Sequence, residues 1–200
     1  MLLRFFLVIG TVLLLQSQTK SILFFGDSLT AGYGLSPEEA FPALVEKLLT
    51  KEDKKVKVIN AGLSGETSAG GLSRIDWVLR QPIDVLVLEL GANDGLRGLP
   101  IDQTTKNLQS IIDKVKSRYP KAKIVLAGMM VPPNMGKQYS DEFMKIYPAL
   151  AKKNTATLIP FLLDGVAGIE KLNQADGIHP NQKGHLIVAE NLVKYLKSLI

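Results

Sequence analysis

The sequence predicts an α/β domain: a five-stranded parallel sheet covered by helices on both faces. Three observations carry this. Five short runs, Ser21–Phe25, Val56–Asn60, Asp84–Glu89, Lys123–Gly128 and Thr157–Phe161, are rich in Val, Ile and Leu and apolar almost throughout. That is the pattern of strands buried on both faces rather than one. The segments between them carry helical periodicity, and the alternation of the two favours right-handed crossovers between parallel neighbours.

Taken in order, the first twenty residues stand apart. A short basic start, Met1 to Arg4, precedes an apolar run from Phe5 to Leu15 and a polar exit from Gln16 to Lys20. This is the layout of a signal peptide with an h-region too short to span a bilayer comfortably. An uncleaved N-terminal anchor is the alternative reading. Either way residues 1–20 form a leader and residues 21–200 a single domain, which makes the expected location periplasmic or secreted. A lipid-modified terminus is excluded, because the chain has no cysteine.

After the first strand, Phe41, Leu44, Val45, Leu48 and Leu49 form the stripe of one helix, and Leu108, Ile111, Ile112, Val115 and Tyr119 that of another. A helix is expected between Asp141 and Lys153, kinked or split by Pro148. The last helix carries Leu186, Ala189, Leu192, Leu196 and Leu199 on one side. No Pro- or Gly-rich linker interrupts the chain and no repeat is present.

Composition narrows the function classes. The net charge of +5 is mild, and the lysine clusters at Lys51–Lys57 and Lys121–Lys123 have no interleaved aromatics, so they read as solvated turns, not a nucleic-acid surface. Zero cysteines exclude thiolate catalysis and thiolate metal sites. Two histidines among scattered carboxylates predict no metal site and no cofactor.

In open α/β sheets, sites form beyond the carboxyl ends of strands, so the residues after each strand matter most. Gly26-Asp27-Ser28-Leu29 follows the first. A serine there suits an exposed nucleophile, although an N-capped turn or a phosphate loop fits the same residues. After the second strand, Gly65 offers a backbone N–H to a developing oxyanion, or simply a turn. After the third, Asn93 offers a neutral amide donor, or a helix cap. Near the end, Asp176-Gly177-Ile178-His179 spaces a carboxylate and an imidazole so that one short loop holds both. Pro180 suits the first turn of the helix that follows. His185 falls on the apolar stripe of that helix and reads as packing at the edge of the core.

Together the four segments resemble the GDSL, or SGNH, hydrolases, whose blocks contribute Ser, Gly, Asn and His in that order. Ser28, Gly65, Asn93 and Asp176-x-x-His179 match them in register, and the similarity runs from Ser21 to Ile200. Within the family the segments around Asn93–Leu99 and Asp176–Asn181 are similar to the bacterial periplasmic thioesterase, lysophospholipase and arylesterase branch. The resemblance implies a three-layer α/β/α, flavodoxin-like fold. It implies ester and thioester hydrolysis with Ser28 as nucleophile, His179 as base, Asp176 as its partner, and an oxyanion hole from Ser28, Gly65 and Asn93. The expected partner is a small acyl ester or lipid, met by a monomer that touches a membrane surface only through its substrate.

Leu96 and Leu99, with Met129, Met130 and Met135, follow strands and are candidates to line an acyl groove, with Gly95 and Gly98 as hinges. A carbohydrate O-acetyl esterase would use the same machinery on a polymer. A lipid- or glycan-binding module that had kept only the fold would be expected to have lost Ser, His or Asn, and all three are present.

Overall fold

The structure is a computed structural model that describes residues 18–200, so the leader falls outside the described residues except for its last three positions. Five parallel strands form one sheet: β1 (Lys20–Gly26), β2 (Val56–Gly62), β3 (Val85–Glu89), β4 (Lys123–Ala127) and β5 (Thr157–Ile159), in the order β2-β1-β3-β4-β5. β1 is an interior strand and pairs Phe24 with Asn60 on one side and Val87 on the other. The folded strand thus takes in Lys20, one residue earlier than expected. Lys20 also bonds Asp84 at 2.9 Å.

The strand readings hold with two corrections. β2 is an edge strand and stays partly exposed along its length, because only one neighbour covers its rim. β5 stops at Ile159, since Pro160 has no N–H to extend the ladder.

Helices α2 (Phe41–Lys51) and α8 (Gln182–Leu196) pack together, as do α3 (Ser68–Val78), α5 (Ile101–Arg118) and α7 (Ile146–Asn154). The step from β1 to β2 runs opposite to the steps from β2 to β3, β4 and β5. Right-handed crossovers therefore put the first group on one face and the second on the other, which makes three layers. Phe24, Phe25, Leu86 and Leu88 of the sheet meet Phe41, Leu49, Ile75, Ile111 and Leu192 in a single wholly buried core. Short helices α1 (Ser28–Ala31), α4 (Ala92–Leu96) and α6 (Lys137–Phe143) complete the set.

Three helix readings change. The split falls at Met144–Lys145, between α6 and α7, and Pro148 is the third residue of α7, where its missing N–H costs nothing. Pro180 precedes the N-cap of α8 instead of opening the helix, since Asn181 takes the cap by accepting from the N–H groups of Lys183 and Gly184. Leu186 is off the buried face, which is built from His185, Val188, Ala189, Leu192, Val193 and Leu196. His185 lies deeper than the edge of the core. It is 1% exposed, its Nδ1 accepts the Phe41 N–H at 3.0 Å, and its ring stacks on that of Phe41. Among the described residues no helix is long and apolar enough to cross a membrane.

Candidate active site

The strand order reverses direction between β1 and β3, and the crevice at such a switch point is where open α/β sheets bind ligands. The loops after β1, β2 and β3 converge there. Ser28 opens α1 directly after β1, with Asp27 as N-cap: Asp27 Oδ1 accepts the Leu29 N–H at 3.0 Å. This cap holds the turn that presents the Ser28 side chain.

The loop from β5 to α8 brings His179 across 151 residues of sequence to place Nε2 2.9 Å from Ser28 Oγ. On the other side of the ring, Nδ1 lies 2.7 Å from Asp176 Oδ2. Asp176 Oδ1 also accepts the N–H groups of Ile178 (2.9 Å) and His179 (3.0 Å), so the carboxylate shapes its own loop. Donation from the His179 backbone first, then from its ring and from Ile178, holds Asp176 down at about 2, well below the ordinary carboxylate range. An ionised Asp176 accepts from Nδ1–H and leaves Nε2 free to accept from Ser28.

The loop after β2 carries Gly65 in a left-handed conformation, φ +78°, open to glycine without strain. Its shape is fixed from both sides. Arg74 grips the buried Glu66 carboxylate with two nitrogens and the Ala61 carbonyl at 2.7 Å, while its guanidinium lies over the Phe25 ring. Arg97 donates to the Gly65 carbonyl at 3.0 Å. Neither the Ser28 nor the Gly65 N–H has an acceptor among the described residues.

Asn93 sits in the first turn of α4. Both hydrogens of its amide are engaged, one by Asp27 Oδ2 at 3.0 Å and one by the Glu66 carbonyl at 3.1 Å. Asp94 beside it is buried and accepts from the Ser68 N–H (2.7 Å), the Ser68 hydroxyl and the Thr104 hydroxyl, tying α3, α4 and α5 under the site.

All five block residues are thus brought together. The proposed groove fares less evenly. Leu96 is exposed and Leu99 half-buried, in a loop that the Arg97 bond holds beside Gly65. Met129, by contrast, is buried in the core and cannot line a groove. Gly95 is not a hinge: it is helical, and a Cβ there would stand 2.3 Å from Val131 and 2.8 Å from Phe143. Among the described residues no cluster of three or more histidines and carboxylates could hold a metal ion.

Sequence reasoning passed over three residues. Tyr33 packs its ring on His179, centroids 4.6 Å apart. Gln174 joins the loop of His179 to the loop of Ser28. Glu89 ends β3, wholly buried, and accepts from the Asp27 N–H and the Thr30 hydroxyl. A lone glutamate closing an otherwise apolar strand was the one signal available.

Residues 24–187 match the GDSL-like Lipase/Acylhydrolase family. The chain is 40% identical over 186 residues to "Esterase TesA" of Pseudomonas aeruginosa, covering 92% of each. It is 41% identical over 182 residues to "Thioesterase 1/protease 1/lysophospholipase L1" of Escherichia coli (strain K12), covering 90% of this chain and 85% of the other. The solved structure titled "Crystal Structure of TesA" superposes with a TM-score of 0.86 at 40% identity, covering 90% of this chain and 100% of that one.

Proposed function

Because this chain belongs to the GDSL-like lipase/acylhydrolase family and hydrolyses ester bonds, we propose that it acts on acyl esters and thioesters through an acyl-enzyme on Ser28. The observation that carries this is the unbroken chain of contacts from Asp176 through His179 to Ser28, 2.7 and 2.9 Å long.

The cycle has two halves. His179 Nε2 takes the Ser28 proton as Oγ attacks the acyl carbon, and Asp176 stabilises the imidazolium. The imidazolium returns that proton to the departing alkoxide or thiolate. Water, deprotonated by the same nitrogen, then attacks the acyl carbon, and the imidazolium returns its proton to Ser28 Oγ as the acyl–Oγ bond breaks and the acid leaves. The free N–H groups of Ser28 and Gly65 are supplied to the oxyanion, with the Asn93 amide as third donor once one of its two hydrogens turns from its present acceptor. Loss of one such donor typically costs about 10²–10³ in turnover. Asp27 keeps the Asn93 amide within reach meanwhile.

Leu96 and Leu99 receive the acyl chain, because their loop is held against the oxyanion loop through Arg97 and Gly65. The leader directs the protein to the periplasm or outside the cell. A new N-terminus near Gln18–Ser21 on protein recovered from the expressing bacterium is the expected sign, and an intact Met1 on cytoplasmic protein refutes it.

Labelling with a fluorophosphonate followed by peptide mapping tests the chemistry. Modification at Ser28, lost in Ser28→Ala together with ester hydrolysis, is expected. Labelling at another serine, or hydrolysis that survives Ser28→Ala, overturns the assignment.

A further inference from the structure

Two carboxyl groups beneath the nucleophile have no step in the acyl-transfer cycle. Glu89 is 0% exposed, with Oε2 accepting the Asp27 N–H at 3.1 Å and the Thr30 hydroxyl at 2.7 Å. Its Oε1 is equally buried and meets no donor among the described residues. Asp27 is 1% exposed, and both its oxygens are in use, Oδ1 by Leu29 and Oδ2 by Asn93. The Glu89 carboxyl thus lies directly under Asp27, and two buried carboxyls so placed ionise together only at a high cost. One of them holds a proton, and Glu89 Oε1, which no donor reaches, is the atom left to carry it.

We propose that Glu89 is a positioning residue: a neutral carboxylic acid that accepts the Asp27 N–H and adds no second charge, so that Asp27 stands as one anchored carboxylate aiming the Asn93 amide and capping the turn of Ser28. The inference rests on the oxyanion role given to Asn93 above. The arrangement has one effect on the chemistry: the pair carries one negative charge instead of two beside the place where another negative charge grows.

Ionisation tendencies agree with this division. Burial, and then the Asp27 charge, push Glu89 well above its ordinary value, and burial also raises Asp27, to about 6, against the donors from Leu29 and Asn93 that favour its charged form. The charged and titratable neighbours are His179 from the base loop, Asp94 of α4 and the Tyr147 hydroxyl of α7, which donates to the Leu90 carbonyl at 3.0 Å.

Infrared spectroscopy of the full chain at about pH 8, where exposed carboxyls are ionised, is the direct test. A protonated-acid carbonyl band is expected in the wild type and in Ser28→Ala, and absent from Glu89→Gln. In turnover, Glu89→Gln supplies a neutral acceptor and is expected to keep most of kcat, whereas Glu89→Ala loses about 10²-fold with KM little changed, the scale of an ångström's misplacement. No band at that pH, or a Gln variant as impaired as the Ala variant, overturns the proposal. Should Glu89→Ala fail to fold, the band and the Gln variant decide. A wild type that shows the band but is not labelled at Ser28 keeps the neutral Glu89 and removes the catalytic reading on which its positioning role depends.

Discussion

Gln174 Nε2 donates to the Tyr33 carbonyl at 2.7 Å, and this bond, between residues 141 apart, fastens the loop that holds His179 to the loop that holds Ser28. The same nitrogen reaches the Pro180 carbonyl at 3.0 Å, and the Gln174 N–H donates to the His179 carbonyl at 2.7 Å. Gln174 therefore frames His179 from both sides.

Gln174→Ala is expected to lower kcat about tenfold with little change in KM, because the imidazole loses its fixed distance to Ser28 and small misplacements are costly. Steady-state kinetics on an acetyl ester give the measurement. A change confined to KM would assign Gln174 to substrate contact instead.

Asp176→Asn should reduce turnover on the order of 10³-fold without lowering the melting temperature. The amide oxygen can still accept from Ile178 and His179, so the loop survives, but the charge that supports the imidazolium is gone. A rate unchanged at neutral pH would take Asp176 out of the mechanism.

His185 makes stability pH-dependent. Burial first, and His179 second, lower its pKa from 6.5 to about 4 in the folded chain. Between those values the unfolded chain binds a proton that the folded chain refuses. Stability from this residue is thus complete above about 6.5 and is lost as pH falls toward 4, by about 3 kcal/mol over the window. His185→Gln keeps an acceptor for the Phe41 N–H and cannot titrate, so its urea midpoint should fall less steeply across that range. Asp27, with a raised pKa, acts in the opposite sense in both proteins and cancels from the comparison. Parallel midpoint curves would refute the assignment.

Leu99→Ala should flatten the rise of kcat/KM with acyl length and leave acetyl esters nearly unaffected. Each buried methylene contributes about 0.8 kcal/mol at most. A p-nitrophenyl ester series from acetyl to octanoyl reads this out. An equal loss on every ester would mean that the Leu99 side chain serves the packing of its own loop and not the acyl chain.

The strands were legible because β1, β3 and β4 are buried on both faces and so read as unbroken apolar runs. Ser28, Asn93 and the Asp176–His179 pair were legible because they stand just past strands or share one short loop. What escaped acts across long separations. Gln174 and Tyr33 announce nothing in their own segments, and Glu89 acquires its role from Asp27, 62 positions earlier. α3 was passed over although Ser68, Gly71, Ile75 and Val78 are its buried face, because half of that face is small or polar. The Gly95 reading erred for a related cause: flexibility and close packing both demand glycine, and only Val131 and Phe143 distinguish them.

His179 rides on a sparsely buried part of the domain. From Gly165 to Ile178 the chain contains one three-residue helical turn, Glu170–Leu172, and only Val166, Leu172 and Asn173 are buried. Ser28, Gly65 and Asn93 hang instead from the three adjoining strands β1, β2 and β3. Heat should consequently silence the enzyme in two stages, with this segment opening locally before the sheet melts. Activity would vanish, and on brief warming return, at temperatures where far-ultraviolet circular dichroism still reports an intact sheet. Coincident loss of both signals would mean instead that the His179 loop and the sheet come apart as one cooperative unit.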